Sequence, residues 1–350
     1  MLDQPLPSSK WLSVIRRPES KDIPVTLRLL CFSHAGAAPV MFNQRWAKSL
    51  PEGVQVVGIL FPGRTTRSDE PPIDKIKDVI PKLIDDVQFL FKKPHYIPYV
   101  VFGHSFGASC SLEFCLELKR RSLTLPISLL VSGRNPPQLG VLDTPIWNLP
   151  EDELQQKLFE RYDAPIVHDP DMKKLTIPPL RADLSALDTY MPDAYTPENT
   201  PLPIPISVFY GENDGMMKPD LMPQWAIHTS LASTDSAGSN KPFSITPVKK
   251  GGHFMYDNEH LKVLIGQRIN WAEEQVEEKP ILRKPLEERD EELRKKAELL
   301  EIVRKREAEQ KHREEERIRK EAEQKTSQPK PKKKKKAHNF DPFDDDMDLC

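Results

Sequence analysis

The chain has 350 residues, with 51 Lys and Arg set against 53 Asp and Glu and a net charge of −2, a balance without the basic excess expected of a nucleic-acid-binding domain. No run approaches the ~18 consecutive apolar residues of a membrane-spanning helix, and the N-terminus, with Asp3, Lys10, Arg16 and Arg17, lacks the apolar core of a signal peptide, so no membrane span and a cytoplasmic location are expected. Cys31, Cys110 and Cys115 lie in or beside apolar runs and Cys350 is terminal; their spacing suggests neither a disulfide framework nor a metal knuckle, so reduced thiols and no metal or cofactor are expected.

Taken in order, short apolar runs end in turn residues: Val25–Phe32 before Ser33-His34-Ala35-Gly36, and Val54–Phe61 before Pro62-Gly63-Arg64. Next come Tyr99–Phe102 before Gly103, Ile127–Val131 before Ser132-Gly133, and Ile204–Tyr210 before Gly211, with a closing strand at Phe243–Pro247. Such runs read as strands buried on both faces. Helix-like stretches at Asp78–Phe91, at Ser109–Arg121 and from Asn258 to Glu274 alternate with them. This rhythm predicts a mostly parallel sheet with helices on both faces, in one catalytic domain over residues 1–284.

Between Asn135 and Pro203 the rhythm breaks. The region is Pro-rich and carries an amphipathic stretch, Glu151–Tyr162, where a strand is due; it reads as an inserted helical lid whose Leu154 and Leu158 shape a pocket. From Leu286 the composition shifts to Glu, Lys and Arg, too poor in apolar residues to build a core. Glu291 with Lys295, Glu301 with Lys305 and Glu316 with Lys320 stand four apart, which predicts a charged helix over residues 285–326. Leu286, Leu293 and Leu300 fall seven apart, but Glu307 and Glu314 end that register, so a solvated single helix is favoured over a coiled coil. Residues 327–350, with Lys332–Lys336 and the acidic stretch Asp341–Asp348, read as a disordered tail.

Gly103-His104-Ser105-Phe106-Gly107 matches the nucleophile elbow, a strand-to-helix turn in which flanking glycines let the serine hydroxyl project from the sheet. Tyr99–Phe102 supplies the strand before it, and the small residues Ala108, Ser109 and Cys110 open a helix that can approach closely. A hydroxyl attacks only if a base takes its proton, and the base needs an anion to fix its tautomer. Chain order Ser, acid, His then selects Asp214, after the strand ending at Tyr210, and His253, after the strand beginning at Phe243. Glu212, Asp188 and Asp193 are rival acids and His260 a rival base, while His34, His104 and His228 read as structural or surface residues. The oxyanion needs backbone donors: the amide of Phe106, and one from the loop after Phe32, assigned to Ala35.

These residues resemble a known family, the stand-alone type II thioesterases of nonribosomal peptide and polyketide synthases, together with the related medium-chain fatty-acid-synthase thioesterase. The likeness runs from about Trp11 to Trp271 and rests on motifs in order. They are Leu30-Cys31-Phe32-Ser33-His34-Ala35-Gly36, Phe61-Pro62-Gly63-Arg64, the elbow with Ala108, Ser132-Gly133-Arg134, Leu180-Arg181-Ala182-Asp183, Gly211-Glu212-Asn213-Asp214 and Gly251-Gly252-His253-Phe254. Ser33 stands where that family usually has Pro, and Ala37 where it often has Gly. The resemblance implies an α/β-hydrolase fold and hydrolysis of acyl groups from acyl-CoA or from the phosphopantetheine arm of an acyl carrier protein, with Ser105, Asp214 and His253 as the triad.

The same triad attacks oxygen esters, so a carboxylesterase or lipase stays open, as does a catalytically idle scaffold recruiting partners through its tail. In that tail, Asp341-Pro342-Phe343 looks like the tripeptides that bind clathrin-adaptor ear domains, and Lys332–Lys336 looks like a nuclear-import or anionic-surface patch.

Overall fold

The computed structural model describes residues 6–20, 22–231 and 242–326. Seven strands form one sheet: β1 (Leu12–Arg16), β2 (Leu27–Phe32), β3 (Val54–Ile59), β4 (Tyr99–His104), β5 (Leu129–Ser132), β6 (Ile206–Gly211) and β7 (Phe243–Val248). Their spatial order is β1-β3-β2-β4-β5-β6-β7, with β1 antiparallel to β3 and the remaining neighbours parallel. The helices are α1 (Gln44–Ala47), α2 (Ile76–Val87), α3 (Phe106–Arg120), α4 (Glu151–Tyr162), α5 (Pro170–Thr189), α6 (Glu259–Glu278) and α7 (Leu286–Thr326). This is the mostly parallel sheet with helices on both faces expected from the alternating pattern, in the α/β-hydrolase arrangement that the resemblance implies.

Every residue of β2, β3, β4 and β5 is buried, because helices cover both faces of the sheet. On one face Ile80 and Leu83 of α2 pack with Leu112 and Phe114 of α3; on the other, Trp46 of α1 packs with Ile265 and Ile269 of α6. Each such side chain contributes about 1.5–3 kcal/mol by leaving water. Strand order reverses at β2 and β4, since the chain steps from β2 outward to β3 and returns on the other side as β4. The crevice beyond the carboxyl ends of those two strands is where such a sheet gathers a site.

Three elements escaped the sequence reading, among them the four-residue helix α1, too short to show a period. The edge strand β1 is only half-buried, so its apolar signal is diluted. Helix α5 was masked by Pro170, Pro178 and Pro179: the first sits at N1, where a missing N–H costs nothing, but the other two lie inside the helix. Burial of Ile177, Leu184 and Leu187 along one face outweighs those lost bonds. With α4, helix α5 makes up the insertion between β5 and β6, which has its own small core of Ile146, Leu154, Leu158, Ile177 and Leu184.

The chain divides into two compact units after Arg289, beyond the Lys284 boundary read from composition. The reason is polar anchoring of the first turn of α7: the Leu286 amide donates to Thr124 Oγ1 (2.8 Å), and Arg289 donates to Tyr96 Oη (2.8 Å) and to the Leu282 carbonyl (3.0 Å). Within the second unit, residues 290–313 are exposed, and the predicted pairs Glu291–Lys295 (2.6 Å) and Glu301–Lys305 (2.8 Å) are present. Lys332–Lys336, Asp341-Pro342-Phe343 and Cys350 lie outside the described residues; Cys31, Cys110 and Cys115 are buried free thiols. Among the described residues no helix is long and apolar enough to cross a membrane.

Candidate active site

Ser105 stands between β4 and α3 at φ 55°, ψ −116°, a conformation that costs a residue with a Cβ of the order of 1–3 kcal/mol. The turn is held by the Ser105 amide, which donates to the Ser132 carbonyl (2.8 Å), and by close packing at two glycines. A Cβ on Gly103 would lie 2.2 Å from the Gly107 carbonyl oxygen, and one on Gly107 would lie 2.2 Å from that of Phe32. Any side chain there would push α3 off β2 and β4 and move Ser105.

The structure brings Ser105 together with the two residues chosen by chain order. Ser105 Oγ lies 3.0 Å from His253 Nε2, and His253 Nδ1 lies 2.8 Å from Asp214 Oδ2. A carboxylate only accepts, so Nδ1 carries the ring proton and Nε2 presents its lone pair to the serine hydroxyl, the tautomer a general base requires. Asp214 follows β6 and is itself held by the Met216 amide, which donates to Oδ1 (3.1 Å). All three side chains are buried. The ring of Tyr162, the last residue of α4, covers the His253 imidazole at 4.4 Å between centroids.

Ala35 lies in the loop after β2, on the wall of the cavity that contains Ser105, and Phe106 is the first residue of α3, its ring packed on Phe61. The rivals fall elsewhere. Glu212 accepts from the Lys250 amide, Asp193 pairs with Lys77, and His260 accepts from the Lys249 amide. Asp188 lines a second, small polar chamber with Arg134 and Arg161, which also touches Ser105 and His253, and burial raises its pKa.

His34 is more than the structural residue its sequence context suggested, because its ring lines the cavity beside His253. Its Nδ1 donates to the Ala35 carbonyl (2.9 Å), and burial pulls its pKa down to about 4, so it is neutral near pH 7. His104 is fully buried with Nδ1 2.6 Å from Ser132 Oγ, and burial holds its pKa well below the ordinary value. His228 bonds Tyr195 and Gln138 away from the site.

The cavity has a volume of about 400 Å³, with Ser105 and His253 on its wall. Leu158, Ile177, Leu180, Leu184 and Leu187 from the insertion form much of its wall, giving an apolar chamber beside a polar reacting point. Leu154, read as pocket-forming, faces the insertion's own core instead. Sequence reasoning missed Tyr162, Arg64 and Asp183; the last two belong to the shared motifs Phe61–Arg64 and Leu180–Asp183, and were signalled only by that resemblance.

This fold, with a serine at the elbow hydrogen-bonded to a histidine and through it to an aspartate, defines a serine hydrolase of the α/β-hydrolase class. The chain belongs to the thioesterase-domain family, whose profile matches residues 27–237. It is 27% identical over 236 residues to the gramicidin S biosynthesis protein GrsT of Aneurinibacillus migulanus, covering 67% of this chain and 85% of that one. It is 26% identical over 191 residues to the medium-chain S-acyl fatty acid synthase thioesterase of Rattus norvegicus, covering 53% and 70%. Among solved structures, the type II thioesterase BorB from the borrelidin biosynthetic cluster superposes with a TM-score of 0.62 at 25% identity, covering 77% of this chain and all of that one.

Proposed function

We propose that this thioesterase hydrolyses acyl groups carried on a phosphopantetheine thiol, as acyl carrier protein or acyl-CoA, with Ser105, His253 and Asp214 as its catalytic triad. His253 Nε2 takes the hydroxyl proton as Ser105 Oγ attacks the thioester carbonyl, and the oxyanion forms against the amides of Ala35 and Phe106. Collapse expels the thiol, protonated by His253, and leaves an acyl-serine. Water, deprotonated by the same imidazole, then releases the carboxylic acid. General-base help of this kind is worth about 10²–10⁴-fold, and each oxyanion donor about 10²–10³-fold.

The observation that carries this reading is the hydrogen-bonded series Ser105, His253, Asp214 opening onto an apolar chamber of about 400 Å³, which suits an acyl chain. The insertion over residues 135–203 acts as the lid of that chamber, and catalysis is confined to the unit ending at Arg289. The test is kcat/KM on a panel of acyl-CoAs and acyl-carrier thioesters beside oxygen esters of matched chain length. Thioesters are expected to be preferred. Preference for the oxygen esters would replace this reading with a carboxylesterase.

A further inference from the structure

The loop that supplies Ala35 is not held by its own residues alone. Asp183, on the inserted helix α5, accepts from the Gly36 amide through Oδ2 (2.8 Å). The same carboxylate receives both ends of the Arg64 guanidinium, at 2.7 and 2.8 Å, and Arg64 Nη1 also donates to the Ala37 carbonyl (3.0 Å). The pair is buried, with Arg64 5% and Asp183 2% exposed. Gly36 sits at φ +72°, and a Cβ built there would come within 3.1 Å of Leu180 Cβ, so the loop is pressed against α5 as well as bonded to it. The two residues that follow Ala35 are thus held in place, Gly36 by a helix of the insertion and Ala37 by the arginine paired with it.

That helix has a second task. Ile177, Leu180, Leu184 and Leu187 of α5 line the acyl chamber, so one rigid element carries both the chamber wall and the carboxylate that holds the loop. From this juxtaposition we infer that Asp183 is a positioning residue for the oxyanion hole, and that it links the fit of the acyl chain under α5 to the rate of the chemical step. A chain that fills the chamber keeps α5 seated and the Ala35 amide aimed at the developing oxyanion. A chain that leaves the chamber part-empty or overfills it shifts α5, and with it the donor. Chain-length preference is therefore expressed in kcat as well as in KM, because an oxyanion donor acts only as charge develops on the carbonyl oxygen.

This inference rests on the acyl-transfer reading above, and its test separates the two. The variants are Arg64→Met with Asp183→Leu together, and Asp183→Asn alone. The double variant removes the ion pair without leaving a buried charge, a change often neutral for stability, whereas Asp183→Asn leaves Arg64 buried without a full counter-charge and is expected to melt lower. Asn nevertheless keeps an oxygen for the Gly36 amide. The orders of rate and of stability should therefore be opposite: kcat on the preferred acyl-CoA falls about 10–100-fold in the double variant, with KM little changed and with chain-length discrimination in kcat flattened, while Asp183→Asn retains most of kcat.

Phosphonylation of Ser105 by a fluorophosphonate uses the same donors without requiring a thioester, and its rate constant should fall in parallel in the double variant. Rates that follow melting temperature, or a double variant with wild-type kcat and phosphonylation rate, would overturn the positioning role. If Asp183→Asn does not yield folded protein, the double variant decides alone. A wild type that reacts with the fluorophosphonate yet turns over no thioester would count against the proposed function, and the phosphonylation rates would still test Asp183.

Discussion

Ser105 combines reactivity and strain, and substitution separates the two. Ser105→Ala removes the hydroxyl that lies 3.0 Å from His253 Nε2 but keeps a Cβ at φ 55°, ψ −116°; Ser105→Gly removes both. Both are expected to lose at least about 10³-fold in thioester turnover, as is usual for a triad nucleophile. Their stabilities should differ. Release of about 1–3 kcal/mol of backbone strain, set against the extra ~0.5–1 kcal/mol of unfolded-state entropy of glycine, leaves Ser105→Gly about 1 kcal/mol more stable than Ser105→Ala. In a domain of this size that corresponds to a rise of about 2–4 °C. The assays are thiol release from acyl-CoA and paired melting curves. Retention of more than about a tenth of the rate, only about 1.4 kcal/mol of barrier, would show that Ser105 is not the nucleophile. A glycine variant no more stable than the alanine variant would refute the strain argument.

Burial lowers the pKa of His34 and of His228 from 6.5 to about 4. The unfolded chain takes up protons at these sites as pH falls below 6.5 while the folded chain does not, so their stabilising share is intact above that value and is lost between pH 6.5 and 4, at up to about 1.4 kcal/mol per pH unit for each. Denaturant midpoints should therefore drop from pH 7 to pH 5, and His34→Gln should shallow that drop; an unchanged slope would contradict the buried neutral state. Leu158→Ala, at the chamber wall, should shift preference toward longer chains in an acyl-CoA series, whereas Leu154→Ala, fully buried in the insertion's own core, should cost about 2–5 kcal/mol in unfolding free energy with less change in that profile. Equal chain-length profiles in wild type and Leu158→Ala would remove the insertion from substrate selection. Truncation after Arg289 should leave turnover and melting temperature unchanged, while truncation after Lys284 should lower melting by removing the bonds to Thr124 and Tyr96; equal melting of the two products would show that this anchoring contributes nothing.

By itself the sequence determined the alternation of buried strands and helices, because strands covered on both faces must be continuously apolar, and it determined which residue follows which strand. That Ser105, Asp214 and His253 meet was legible for that reason: in a parallel sheet the carboxyl ends of the strands lie along one edge, so order along the chain becomes proximity in space. Helix α5 was not legible, because Pro178 and Pro179 are local signals against a helix and only packing of Ile177, Leu184 and Leu187 reverses them. The first turn of α7 was assigned to the charged segment because composition averages over a window, whereas its anchoring depends on single bonds from Leu286 and Arg289. Only the tertiary structure decided that Arg64, Asp183 and Gly36 meet. They come from three separate segments, and a buried ion pair leaves no periodicity in sequence; it exists only where the fold excludes water from both partners and leaves each as the other's counter-charge.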